Sequence, residues 1–267
     1  MLSKLFLNLT EYPWFRRMVW KPIYQTLASR FPNETWHFMN YGYVPFTHEE
    51  PLELPEKELI HQYQIQLYHY LAVKTEIQGK DVLEVGSGRG GGARYIAQYL
   101  HPKSMTGMDL ASNAVEFGNK THKSPNLKYI EGNAENIPLP DECMDVVINV
   151  ESCHAYGSVD NFLHEVKRVL RPGGHLVLTD LRGKPGMELL KNQLEASGLT
   201  MMDEDDITLN VVEAIEKEDD MKWRRIKDSI PKWLHGAFGE FGGVKGSQIH
   251  LQLKSRDLIY YRFLMVK

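Results

Sequence analysis

Glu84 stands at the head of "EVGSGRG", where Gly86, Gly88 and Gly90 recur at every second position. Glycines at this spacing let the backbone approach a ligand closely, and a helix start just beyond them aims amide donors and partial positive charge at it. Gly86, Gly88 and Gly91 also satisfy G-x-G-x-x-G, the spacing of a dinucleotide loop. A pyrophosphate, however, wants amide donors and no carboxylate beside it. An acid at this place, next to Ser87, suits a ligand with a cationic end, such as the ammonium and sulfonium of S-adenosylmethionine.

Further residues in order along the chain fit that ligand. Asp109 in "GMDL", followed by Leu110, lies about 20 residues beyond the glycines, where a carboxylate takes ribose hydroxyls. Asn133, Ala134 and Glu135 in "GNAENIPLP" fall at the height of an adenine ring. Asn149 closes the next apolar run on the cofactor side. In "NYGY", Tyr41 or Tyr43 could cover the methionine end, a tyrosine face being attractive to a sulfonium. An ordinary aromatic core contact is the competing reading.

Methyl transfer to an alcohol requires alignment and removal of one proton. A positioned base contributes on the order of 100- to 10,000-fold. "NVESCHAY" supplies Glu151 and His154, and "LTDLR" supplies Asp180. His154 with Asp180 behind it forms a base with an orienting partner. Glu151 is the alternative base. The competing readings are a helix-capping or cofactor-edge His154 and a structural Glu151. No cluster has metal-ligand spacing, so no metal is expected.

These residues need strands to end beneath them. "DVLEV", "SMTGMDL", "LKYIEG", "DVVINVE", "GHLVLTDL" and "RDLIYYRFLMVK" read as strands. "GARYIAQYL", "NAVEFGNKTH", "VDNFLHEVKRVL" and "GMELLKNQLEASG" read as helices. In the third helix Val159, Phe162, Leu163, Val166, Val169 and Leu170 share one face. "SQIHLQL" leans towards helix. "DEDD" at 203–206 and "EKEDD" at 216–220 read as solvated faces and turns, and His61, His69 and His101 as surface residues. Alternating strands and helices specify a parallel, doubly wound sheet.

Bulk properties narrow the class. The 267 residues, 42% of them hydrophobic, suffice for one large α/β domain. A net charge of -4 asks for no nucleic acid. Cys143 and Cys153 form no disulfide framework, which fits a reducing cytoplasm. No run is long enough for a transmembrane segment. Near the N-terminus, Leu2, Leu5, Phe6 and Leu9 have helical spacing. Arg16, Arg17 and Lys21 lie among Trp14, Phe15 and Trp20, a pattern that suits a packed lid or peripheral membrane contact.

The motifs "LEVGSGRG", "GMDL", "GNAENIPLP", "DVVINVE" and "VLRPGGHLVLTDL", in register from 81 to 181, resemble the class I S-adenosylmethionine-dependent methyltransferases. With the tail "GVKGSQ", most of the chain resembles the mycobacterial phthiotriolone and phenolphthiotriolone dimycocerosate methyltransferase family, and more widely natural-product sugar O-methyltransferases. The resemblance implies an α/β fold: a Rossmann-like, doubly wound, mostly parallel seven-stranded sheet. It implies an N-terminal helical lid over 1–60 and a methyltransferase domain over 61–267. Within that domain, a helical insertion before the last strand lets 184–250 partly roof the acceptor pocket, with Trp223, Trp233, Phe238 and Phe241 as wall residues. It implies S-adenosyl-L-methionine as cofactor and O-methylation of a bulky lipid or polyketide acceptor, and it allows a homodimer. C-methylation of a sterol or prenylated aromatic ring, or a non-catalytic cofactor-binding subunit, are the alternatives.

Overall fold

The computed structural model describes residues 37–46, 52–229, 232 and 235–267. The expectations for Leu2 to Lys21, Trp233 and the Phe241 side chain, and for most of the 1–60 lid, lie outside the described residues.

Seven strands form one sheet: β1 (Asp81–Val85), β2 (Ser104–Asp109), β3 (Leu127–Glu131), β4 (Met144–Val150), β5 (Leu170–Gly183), β6 (Thr200–Asp206) and β7 (Leu258–Val266). Their spatial order is β3-β2-β1-β4-β5-β7-β6. The pairs β1–β2, β1–β4, β2–β3 and β4–β5 are parallel, and β7 alone runs antiparallel to both its neighbours. Strand order reverses between β1 and β4, and open α/β sheets bind ligands beyond the carboxyl ends of strands at such a point.

Alternate residues of the central strands face two different cores, as a period of two requires. Val82, Val146, Ile148 and Val177 join a cluster with α1 (Gln62–Ala72) and α2 (Gly91–Tyr99). Leu83, Val147, Leu176 and Leu178 join the other, with α4 (Val159–Val169) and α5 (Lys184–Ala196). The remaining helices are α3 (Ser112–Thr121), α6 (Thr208–Ser229), α7 (His235–Gly242) and α8 (Gln248–Ser255).

The α4 helix shows how sequence sets an element here. Ser158 Oγ accepts from the Asn161 N–H at 3.1 Å and caps its start. Val159, Phe162, Leu163, Val166 and Val169 are buried along one face, each burial contributing roughly 1.5–3 kcal/mol. Leu170, expected on that face, instead opens β5, still buried.

Three expectations are corrected. The acidic segment 203–206 is a solvated face as expected but not a turn: it is most of β6, paired to β7 along an exposed sheet edge. Its charges are held one by one: Asp203 by Arg262, Glu204 by Lys191, Asp205 by the Tyr70 hydroxyl and Asp206 by Arg256. In 216–220, all within α6, Glu218 is fully buried and holds Gln64 at 2.6 Å, Lys222 at 3.3 Å and Arg225. His61 ends a 3-10 turn (Glu56–His61) and is buried beside Arg225, with its pKa pushed down to about 3 by burial and by that cation. His69 is half-buried, with Nδ1 2.8 Å from the Tyr95 hydroxyl, while His101 is exposed. His250 is packed, with Nε2 3.0 Å from Glu216. Among the described residues no helix is long and apolar enough to cross a membrane.

Candidate active site

The glycine loop leaves β1 at Val85 and enters α2 through Gly90. Gly86 has φ +77° and Gly90 φ +83°, conformations that favour glycine. A Cβ on Gly86 would lie 2.5 Å from Ser152 Oγ, and one on Gly90 would lie 2.3 Å from the Tyr129 ring. The Gly86 and Ser87 amides donate to Met108 O at 2.8 and 2.9 Å, tying the loop to β2. Asp109 accepts from Gly88 N–H at 2.8 Å and from Ala111 N–H at 2.9 Å, one on each oxygen. Those amides aim the carboxylate past the strand end, where its remaining lone pairs can take vicinal hydroxyls. Leu110 beside it is 46% exposed, an apolar surface at the same edge.

Glu84 is 0% exposed. Its Oε1 accepts from the Tyr68 hydroxyl at 2.6 Å, while Oε2 is buried and makes no hydrogen bond. Burial lifts its pKa to about 8, with the Tyr68 hydroxyl and the Ala93 amide pulling the other way. Ser87 Oγ and Asn149 Oδ1 are likewise buried without a partner. The Asn149 amide nitrogen holds Val85 O, Ser152 Oγ and Tyr156 OH at 2.8–2.9 Å, so it knits the ends of β1 and β4 together. Beyond β3, Asn133 Oδ1 accepts from Glu135 N–H at 3.1 Å, and Glu135 Oε1 accepts from Gly157 N–H at 2.9 Å. Ala134 is buried between them in sequence.

Tyr43 makes a buried aromatic contact of the core. Its ring stacks on Tyr70 at 4.3 Å and 16°, and its amide donates to Tyr63 O, so α1 takes it into the core. The "NYGY" stretch reaches the site through Tyr41, whose N–H donates to Glu151 Oε1 at 2.9 Å. Met39, from the same stretch, lies over the loop, its Sδ 3.5 Å from where a Gly88 Cβ would stand.

On the other side, β4 and β5 bring the three expected acceptor-side residues together. His154, in a 3-10 turn (Cys153–Ala155), places Nδ1 2.6 Å from Asp180 Oδ1. Asp180 is fully buried, and its second oxygen takes Arg182 Nε at 3.0 Å and Cys153 Sγ at 3.1 Å. Burial alone would raise its pKa, but His154 and Arg182 outweigh that and hold it below the usual value. The His154 side chain keeps 36% of its surface exposed. In the tautomer that donates Nδ1–H to Asp180, Nε2 is the ring nitrogen able to accept a proton.

Glu151 follows β4 with φ +47°, a conformation that non-glycine residues adopt at a cost and that recurs at functional sites. Its Oε1 accepts from the Tyr260 hydroxyl at 2.6 Å. Burial pushes its pKa up to about 7 against that hydrogen bond and the Tyr41 amide. Tyr68, Tyr260 and Arg182 were not anticipated from sequence. Only Arg182 carried a signal, two residues after Asp180 in "LTDLR".

These features fit S-adenosylmethionine. Glu84 would offer a buried carboxylate oxygen to its ammonium, Asp109 would offer a carboxylate to ribose hydroxyls, and Asn133 to Glu135 would offer a polar turn to an adenine edge. The cofactor supplies a methyl group carried on a sulfonium. Among the described residues no cluster of three or more His, Cys, Asp or Glu could hold a metal.

Comparison with known proteins agrees. Residues 83–178 match the family model described as "Methyltransferase domain". The phthiotriol/phenolphthiotriol dimycocerosates methyltransferase of Mycobacterium tuberculosis is 34% identical over 253 residues, 94% of this chain and 93% of that protein. The fatty-acid O-methyltransferase of Mycolicibacterium smegmatis is 34% identical over 246 residues, 91% of this chain and 89% of that one. Among solved structures, the [4+2]-cyclase SpnF superposes with a TM-score of 0.70 at 18% identity, covering 92% of this chain and 95% of that one, and shares the fold. The chain belongs to the class I S-adenosylmethionine-dependent methyltransferases.

Proposed function

We propose that the enzyme O-methylates a hydroxyl group of a bulky hydrophobic lipid or polyketide-like natural product, with His154 as general base. The observation that carries this reading is the 2.6 Å contact between His154 Nδ1 and the fully buried Asp180, beside a partly exposed imidazole at the carboxyl edge of β4. Nε2 takes the hydroxyl proton as the oxygen attacks. Asp180 holds the ring's orientation and stabilises the imidazolium. Arg182 and Cys153 fix Asp180 from its other oxygen. The lipid class is supported by the names of the two curated relatives.

A hydroxyl fits better than a fatty-acid carboxylate. A carboxylate needs no base, whereas a hydroxyl uses the one that His154 and Asp180 form. Arg182 is already turned to Asp180. Both cysteines are free, which suits a cytoplasmic enzyme.

The test is labelled-methyl transfer to a panel of hydroxylated lipids, polyketides, glycosides, sterols, phenols and free fatty acids, with wild type beside His154→Ala. We expect transfer to an alcohol oxygen and a loss of about 100- to 10,000-fold in kcat for the variant. Transfer to carbon, or a variant within a few fold of wild type, sinks the His154 mechanism and moves the chemistry to Glu151.

A further inference from the structure

Glu84 is a sealed acid with no cation of its own. The ionisable groups that face it or its hydrogen-bond partner are Tyr68 from α1, Asp109 from β2, Tyr129 from β3 and Glu151 from β4, all of them acids. Arg94, the cation that acts on Tyr129, is committed to Glu58 at 2.6 Å. The Ala93 amide of α2 is the other polar neighbour. An ammonium entering beside Oε2 would therefore meet a buried carboxylate oxygen that lacks a hydrogen-bond partner and that no protein cation pairs.

Tyr68 decides which oxygen that is. Its hydroxyl takes Oε1 at 2.6 Å. Its ring is held by packing: it fills the space a Gly92 Cβ would need, at 2.0 Å, and stands 5.9 Å from the Phe38 ring. We propose that Tyr68 is a positioning residue for the amino end of S-adenosylmethionine, holding the Glu84 carboxylate with Oε2 towards the ammonium, and that this end binds with release of a proton. Before binding, Glu84 keeps its proton well above the usual carboxylate range. On binding, the ammonium stays charged, Glu84 ionises, and the proton leaves to solvent. The inference rests on the cofactor's identity alone and holds whichever acceptor atom is methylated.

Calorimetry with S-adenosylhomocysteine and with 5′-methylthioadenosine, which lacks the amino-acid end, tests this without turnover. For wild type, titrations in buffers of different ionisation enthalpy should show release of about one proton below pH 7 with S-adenosylhomocysteine. Its affinity should tighten by up to about tenfold per pH unit on the acid side of the Glu84 transition. Methylthioadenosine should show neither effect. Tyr68→Phe should weaken S-adenosylhomocysteine about 10- to 100-fold, the value of a hydrogen bond to a charged group, and leave methylthioadenosine within about twofold. Absence of proton release from wild type overturns the proposal, and so does equal weakening of both ligands by Tyr68→Phe, which would make Tyr68 a packing residue only.

Discussion

Replacing Glu84 by glutamine should stabilise the ligand-free protein at alkaline pH while it cripples cofactor binding. The carboxyl is 0% exposed, and burial lifts its pKa from 4.5 to about 8. In the unfolded chain the group ionises near the lower value. Between the two, the folded protein binds a proton that the unfolded chain has released, so stability falls as pH rises through that window. At 1.36 kcal/mol per pKa unit, full ionisation in the folded state costs roughly 4–5 kcal/mol. Three histidines, His61 and His122 buried and His37 half-buried, act in the opposite sense at lower pH. Burial pushes His37, His61 and His122 down to about 4, 3 and 4, so each adds stability as pH climbs towards its unfolded value of 6.5. Glu84→Gln keeps an acceptor for Tyr68 and leaves the histidines in place, so the difference between the two proteins isolates the carboxyl. Urea unfolding without ligand, at several pH values from about 5 to 8.5, measures it. The two proteins should be close in stability at the acid end, and the variant should lead by a few kcal/mol at the alkaline end. A difference that does not change with pH, or a variant less stable than wild type at pH 8.5, would refute the account of Glu84 as a sealed acid awaiting a cation.

Two substitutions probe the scaffold. Gly90→Ala puts a Cβ within 2.3 Å of the Tyr129 ring at φ +83°, so thermal unfolding should register a loss of about 1–3 kcal/mol, with weaker S-adenosylhomocysteine binding because the loop must move. Glu218→Ala leaves Arg225 and Lys222 without their buried partner and should cost about 3–5 kcal/mol, whereas a loss below about 1 kcal/mol would show that solvent screens the cluster.

The parts of this molecule legible in its sequence are those whose reasons are local. Glycine spacing, an acid before a loop, and apolar alternation in "DVLEV" or "DVVINVE" each act over a few residues. The parts that were not legible depend on distant chain. β6 shows no apolar alternation, because an edge strand held by ion pairs needs none, and its partners Arg256 and Arg262 lie some 50 or more positions away. His61 is buried by distant chain, with Arg225 of α6 at one ring nitrogen and the Phe38 ring 5.2 Å away. Tyr43 and Tyr41 are two residues apart, and nothing local distinguished the ring that stacks on Tyr70 from the neighbour whose amide meets Glu151. Tyr260 reaches Glu151 across 109 positions.

Asp180, Glu84 and Glu151 divide by the company they keep. Asp180 has a histidine and an arginine against it and is held charged in spite of complete burial. Glu84 and Glu151 are met by tyrosine hydroxyls and amides instead, and burial lifts them to about 8 and about 7. A hydroxyl donor can orient a carboxylate but cannot replace the charge that water would have stabilised, so both acids stay poised near neutrality. Environments that drive titratable groups apart in this way separate their tasks. On this reading Asp180, already neutralised by the protein, serves the base. Glu84 and Glu151 are where charge must arrive from outside. At Glu84 the cofactor's ammonium supplies it. At Glu151, reached by the stretch that also lays Met39 over the glycine loop, ionisation would strengthen the bonds from Tyr41 and Tyr260 and so draw that cover onto the site.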